Sequence, residues 1–224
     1  MACTKPPLAD LLSFFELSVT DARTQAAAPL SSLWREGPVI LVFLRRLGCA
    51  LCRTTCREYS EAQPLIRAAG ARMVCLCFEA LGTGSDADGS FSAGKFWEGP
   101  LYTVPPEMYQ ALFGKKGLFN SFYGLADVSR TKLASCTERG VTGNLRGDGL
   151  FLGGQFVVSQ RGAVAVDHRQ KFFGDDLAVE ELLEGVQEAL RLDKAAAAAA
   201  AAAEQAPGPQ VQEWGGGGSK SSPK

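Results

Sequence analysis

Two cysteines separated by two residues, Cys49 and Cys52, are the positions in this chain whose types and spacing best suit chemistry. Such a pair cycles between dithiol and disulfide when one sulfur is a thiolate. Seven cysteines in 224 residues would supply roughly 0.2 such pairs by chance spacing alone, so the context has to carry the weight. Val39 to Leu44 is an unbroken apolar run of the kind a strand covered on both faces requires. Gly48 breaks it, and the residues after Cys49 are good helix formers to about Ala68, with Gly70 as the stop. The dithiol is therefore expected where a strand hands over to a helix, beside the free N–H groups and the positive end of the helix dipole. Position favours Cys49, at the exposed start, as the nucleophile, with Cys52 one turn inward. Arg45 and Arg46 are candidate thiolate stabilisers; as neighbours facing opposite ways, one approaches the sulfur and the other meets solvent. The bland alternative is that both cysteines are only small packed side chains.

The remaining reactive residues are weaker candidates. Cys56 follows Cys52 by four residues and is an accessory thiol at most, since that helical spacing separates Cα atoms by about 6 Å, near the limit for a bridge. Zinc is not expected, because two of the Cys49, Cys52 and Cys56 spacings fall within one helix and a fourth ligand is missing nearby. Cys75 and Cys77 are read as buried residues pointing to opposite faces of a strand. Cys3 and Cys136 carry no signal. His168, the single histidine, is read as a surface or sheet-edge residue between Asp167 and Arg169, with a catalytic role the less common outcome.

The elements that must hold this pair can be laid out along the chain. Ser13 to Val19 is a possible edge strand, and Ser31-Ser32-Leu33-Trp34 a short serine-capped helical turn. The dithiol helix contains Pro64, which should kink or split it. Arg72 to Phe78 is the second core strand, parallel to the first. Leu81 to Ser92 is a loop; Phe91 to Trp97 a short helix; Leu101 to Val104 a strand; Pro105-Pro106 opens a helix through Phe113; Tyr123 to Arg139 is another. Gly140 to Gly154 is too rich in glycine for a regular element. Phe156 to Ser159 and Ala163 to His168 form a hairpin around Gly162, and Asp176 to Leu192 an amphipathic helix capped by Asp175 or Asp176. The organisation expected is an entry segment over 1–29, one domain over 30–192, and a tail over 193–224 in which an alanine tract, helical or frayed, leads into disorder.

Composition narrows the class. With 23 Lys and Arg against 24 Asp and Glu, interspersed, there is no basic footprint for nucleic acid. No apolar run is long enough to span a bilayer, and Asp10 and Glu16 interrupt the only stretch that could form a secretory h-region. An odd number of cysteines with no framework spacing suits a reducing, cytoplasmic setting. Neither phosphate-loop nor dinucleotide fingerprint is present, so no cofactor is expected to bind tightly; NADPH would serve as the ultimate electron donor through a thioredoxin system.

The order β-α-β, an irregular middle, a β-hairpin and a closing helix is that of the thioredoxin-like α/β fold, a mixed sheet flanked by helices. Within it, LWREGPVILVFLRRLGCALC resembles the peroxiredoxin-like (AhpC/TSA) family that includes prostamide/prostaglandin F synthase. Phe78-Glu79-Ala80-Leu81-Gly82, Tyr109 to Gly114, Gly143 to Asp148 and Gly153 to Ser159 extend the similarity over about residues 30 to 190.

What the resemblance implies is an antioxidant-type thiol oxidoreductase in which Cys49 attacks an O–O bond and Cys52 resolves, acting on a peroxide or lipid endoperoxide, with a thioredoxin-type reductant as partner. Two departures shape the expectation. The peroxiredoxin pattern P-x-x-x-[TS]-x-x-C is absent, since Leu44 to Gly48 precede Cys49, and the proline that thioredoxins place opposite the dithiol is missing from Leu150 to Gln155. Both suit a bulkier, apolar peroxide. A thiol-disulfide exchange regulator of protein partners and a catalytically idle interaction module stay open as alternatives.

Overall fold

The structure, a computed structural model, describes residues 17–83, 90–114 and 125–205. The expected tail beyond 205, the start of the expected edge strand at 13–16 and the middle of the 81–92 loop lie outside the described residues.

Strand β3 (Val39–Phe43) is the axis, and all five of its residues are buried. That burial follows from having a neighbour on each edge and helices on both faces, the environment its unbroken aliphatic sequence demands. Before it come β1 (Ser18–Asp21) and β2 (Ala27–Pro29); after it come β4 (Arg72–Cys77), β5 (Leu101–Thr103), β6 (Gly154–Val158) and β7 (Val164–Arg169). The sheet order is β2-β1-β5-β4-β3-β6-β7. β5, β4 and β3 run parallel, while β6 and β7 are antiparallel additions. This is the expected thioredoxin-like sheet, with β1 and β2 appended beyond β5.

Register decides which residues meet. Phe43 pairs with Leu76 and Gly154, and Leu41 with Phe156, so alternation sends Phe43 and Phe156 to one face of the sheet. There Phe43 stacks edge-on with Phe156 at 5.4 Å and with Tyr109 and Phe113 of helix α3 (Pro106–Phe113) at 5.7 and 5.5 Å. Burial of each such ring contributes about 2 kcal/mol. The Tyr109 hydroxyl lies 3.0 Å from Leu44 O and 2.8 Å from Leu76 O, fastening the ends of β3 and β4 just where the dithiol turn begins. Val42 pairs with Cys75 and Gln155, so these three side chains face the opposite side, beneath helix α1 (Ala50–Ala68). Helix α5 (Val179–Glu204) covers the same face further along: Gly185 sits against Val157 and Val166, leaving no room for a Cβ. The short α2 (Ser90–Ala93) and α4 (Leu125–Glu138) complete the helices among the described residues.

Several expectations need correction. Pro64 lies inside α1 without splitting it. The turn at Leu30–Trp34 is a 3-10 helix preceded by Pro29, with no side-chain cap; Ser32 Oγ instead donates back to Pro29 O at 2.7 Å. The helix near Phe91 is a single turn ending at Ala93, with Lys95 in a left-handed conformation just beyond it. α5 is capped by neither Asp175 nor Asp176: Ala178 is its N-cap, and the Ala178 N–H donates to Glu181 at 2.8 Å. The helix also continues without a break past Leu192 through the alanines, as a run of the strongest helix former permits. Cys75 and Cys77 share one face, because residues two apart on a strand point the same way, and Cys56 of α1 lies against that face, bonded to Cys75 and acting on Cys77.

Candidate functional site

Leu44 to Gly48 connects the end of β3 to α1. Cys49 is the N-cap of α1, with extended backbone angles, and its carbonyl takes the first helical hydrogen bond, from Arg53 N–H at 2.9 Å. Arg45 turns back over this start: its Nη2 donates to Cys49 Sγ at 2.8 Å and its Nη1 to Gly149 O at 3.0 Å. The guanidinium is buried and stacks on the Phe173 ring 3.9 Å away. A charged donor held dry against a sulfur favours the thiolate strongly.

The electrostatics separate the two thiols. A hydrogen bond from Cys52 holds the Cys49 thiol well below its ordinary value, and the Arg45 charge reinforces this against the opposing cost of burial. The same hydrogen bond, together with burial, pushes the Cys52 thiol well above it. One sulfur is thus prepared as the anion and the other as its proton-bearing neighbour, the division of labour that a nucleophile and a resolving thiol require. All six cysteines among the described residues are free thiols.

The expectation that Cys49 stands exposed is overturned. It is only 6% exposed, while Cys52 is half-buried. Residues 141–149 form a strap over the turn, and small residues make the close approach possible. A Cβ on Gly48 would fall 2.1 Å from Asn144 Oδ1, and one on Gly143 would fall 2.6 Å from Ala50 N. The strap is tied by Asn144 N–H to Gly48 O at 2.7 Å and by three guanidinium groups, each on a different strap carbonyl: Arg53 on Thr142 at 2.8 Å, Arg46 on Arg146 at 3.1 Å, and Arg45 on Gly149. Arg46 therefore does not reach the sulfur, and its Nε is buried without a hydrogen-bond partner. Arg53, which sequence reasoning did not single out, is buried and also donates to Leu47 O at 2.8 Å. No local pattern announces it, because its partners are backbone carbonyls, one of them 89 residues away.

Cys56 is fully buried against Cys75, and burial pushes its thiol well up, which removes the exposure an accessory thiol needs. His168 is half-buried and bonds the Asp175 carbonyl through Nε2 at 2.8 Å, tying β7 to the segment before α5. Beside the strap an open groove of about 580 Å³ is lined by Phe78, Phe151, Pro106, Gln110, Glu79 and Asp148 among others, a size suited to a small molecule. Its wall and the thiolate are linked through Gly149, which follows Asp148 and holds Arg45. Among the described residues no cluster of His, Cys, Asp or Glu is arranged to hold a metal ion, and no helix is long and apolar enough to cross a membrane.

Comparison with known proteins adds an independent line. The model of the AhpC/TSA antioxidant enzyme family matches residues 59–171, a range that starts just after the dithiol. The chain is 34% identical over 168 residues to human prostamide/prostaglandin F synthase, covering 73% of this chain and 82% of that protein. It is 33% identical over 159 residues to the synthase of Salmo salar, covering 68% and 76%. It is 24% identical over 159 residues to peroxiredoxin-like 2A of Gallus gallus, covering 70% and 68%. Among solved structures, peroxidoxin BcpB of Mycobacterium tuberculosis aligns with a TM-score of 0.49 at 15% identity, covering 76% of this chain and 90% of that one.

Proposed function

The chain belongs to the AhpC/TSA antioxidant enzyme family, and from that premise we propose that it is a dithiol peroxide reductase acting on a bulky apolar peroxide or lipid endoperoxide, with Cys49 as nucleophile and Cys52 as resolving thiol. The observation that carries this reading is the pair of contacts on Cys49, a guanidinium on one side and the Cys52 thiol on the other.

For a linear peroxide, the Cys49 thiolate attacks one oxygen, the O–O bond breaks, and the departing alkoxide takes a proton to become an alcohol. Cys49 is left as a sulfenic acid. Cys52, giving up its proton, attacks that sulfur and water leaves, closing the disulfide. For a cyclic endoperoxide the first attack leaves one oxygen bonded to Cys49 and the other as an alkoxide. Attack by Cys52 then releases the second oxygen, so the product is a diol and both oxygens stay on the substrate. Either way the dithiol loses two electrons and the O–O bond gains them.

The groove beside the strap supports a substrate larger than hydrogen peroxide, and the relatives named prostamide/prostaglandin F synthase support an endoperoxide, whose reduction to an F-type alcohol is this chemistry. A thioredoxin-type reductant drawing on NADPH, in a reducing compartment such as the cytoplasm, restores the dithiol. The test supplies purified protein, thioredoxin, thioredoxin reductase and NADPH with a lipid endoperoxide, hydrogen peroxide or insulin. NADPH consumption with the endoperoxide, lost in Cys49→Ser, is the expected result. Consumption with insulin alone makes the chain a disulfide-exchange protein, and consumption with none makes it an idle module.

A further inference from the structure

One buried charge near the dithiol has no part in the chemistry so far. Asp176, between β7 and α5, has a carboxylate only 9% exposed. Its Oδ1 accepts from Gln155 Nε2 at 2.8 Å and from Gln170 Nε2 at 2.6 Å; its Oδ2 accepts from Thr55 Oγ1 at 2.9 Å and from Lys132 Nζ at 3.4 Å. Burying a carboxylate is costly unless donors compensate it. Here four donors from β6, α1, α4 and the end of the β6–β7 hairpin converge on it. They also occupy its lone pairs, so the carboxylate acts through its charge.

Thr55 follows Cys52 by three residues on α1, the spacing that places two side chains on one helix face. The anion held by Thr55 is therefore about one turn from Cys52. Arg45 acts on both sulfurs, and the Asp176 charge acts on Cys52. The other groups facing Cys52 are the Cys49 thiolate and the Tyr109 phenol of α3; Cys56 lies further along α1.

We propose that Asp176 is a positioning residue of the redox centre, its fixed anion one turn beyond Cys52 holding the proton on Cys52 and so leaving the negative charge on Cys49 beside Arg45. The proposal rests on reading Cys49 and Cys52 as the reacting thiols. The raised Cys52 thiol agrees in direction: its bond with Cys49, burial and the Cys49 charge act first, the Arg45 cation opposes them, and the Asp176 charge adds to the rise.

The test follows the alkylation of Cys52 by iodoacetamide as pH is raised, in a Cys49→Ser background where Cys52 titrates without its coupled neighbour and no peroxide is involved. Asp176→Asn is expected to lower the Cys52 midpoint by about one pH unit, a tenfold faster reaction on the rising limb. Lys132→Met, which removes the compensating cation at a partly exposed position, is expected to move the midpoint upward. Opposite shifts in the two variants are what a field effect produces. Shifts in the same direction, or none, would come from a network that only packs the fold, and overturn the proposal. Should Asp176→Asn not fold, Lys132→Met decides alone, a fall or no change sinking it. Loss of peroxide turnover would defeat the functional reading and leave these titrations untouched.

Discussion

Arg45 Nη2 and Cys49 Sγ are 2.8 Å apart, joined across the turn that ends β3 and begins α1. Replacing Arg45 with Met keeps the apolar stem against Phe173 and removes the cation. Deprotonation of Cys49 creates an anion, so losing a neighbouring cation must raise its midpoint. Each unit of that rise costs tenfold in thiolate wherever pH lies below the midpoint. Peroxide turnover by Arg45→Met is expected to fall about tenfold or more near neutrality and to recover as pH rises. A variant whose loss is equal at every pH would rule out the ionisation argument.

Arg53 offers the complementary experiment, since it ties the strap and does not touch the sulfur. Arg53→Met frees the Thr142 and Leu47 carbonyls from their charged donor, a loss of about 2 kcal/mol in stability. Cys49 should then be alkylated several-fold faster even at a pH where it is fully ionised, with its midpoint little changed. An unchanged plateau rate would mean that the strap is not what shields the sulfur.

Glycines at two contacts should resist the smallest enlargement. Gly153→Ala places a Cβ 2.0 Å from the Phe43 carbonyl oxygen, a backbone atom that cannot step aside without disturbing the β3–β6 pairing. Gly48→Ala meets Asn144 Oδ1, a side chain with somewhere to go. Urea unfolding is expected to show a loss of about 1–3 kcal/mol for Gly153→Ala, and less for Gly48→Ala, whose main effect falls on the strap and therefore on activity.

Stability of the reduced chain should turn over with pH. Cys49 is depressed in the folded chain, so its contribution is full above the unfolded thiol value of 9.0 and is lost as pH falls through the folded value. Cys52, Cys56 and Cys77 have the opposite sign. Burial pushes Cys77 up to about 12, and the other two also keep their protons well above 9.0. Between those values the folded chain holds protons that the unfolded chain has released, so each thiol costs about 1.4 kcal/mol per pH unit. Urea midpoints should climb toward pH 9 and drop beyond it. Cys77→Ala, though less stable overall, should show a shallower alkaline decline.

The dithiol turn and most of the fold were legible because their signals are local: an aliphatic run, a glycine, a CxxC and a helix-forming stretch lie within about thirty residues of one another. Arg45 was readable as a partner of Cys49 for the same reason. Asp176 was misread because an acidic residue just before an apolar helical period is what an N-cap looks like. Donors from Thr55, Gln155 and Gln170 claim its carboxylate instead, and nothing near residue 176 reveals them. The exposure of Cys49 failed likewise, since its cover comes from a strap about 95 residues downstream.

That strap sets a limit of a different kind. A sulfur roofed by a segment fastened at three carbonyls and two amides reacts no faster than the roof lifts. Small and large peroxides of different intrinsic reactivity should therefore converge, at saturating concentration, on one first-order ceiling. The Arg45 bond to Gly149 makes this ceiling sensitive to oxidation, because the thiolate that helps hold the guanidinium in place disappears once the disulfide closes. The oxidised chain should then open more readily than the reduced one, and the step that admits the reductant should outpace the step that admits the peroxide.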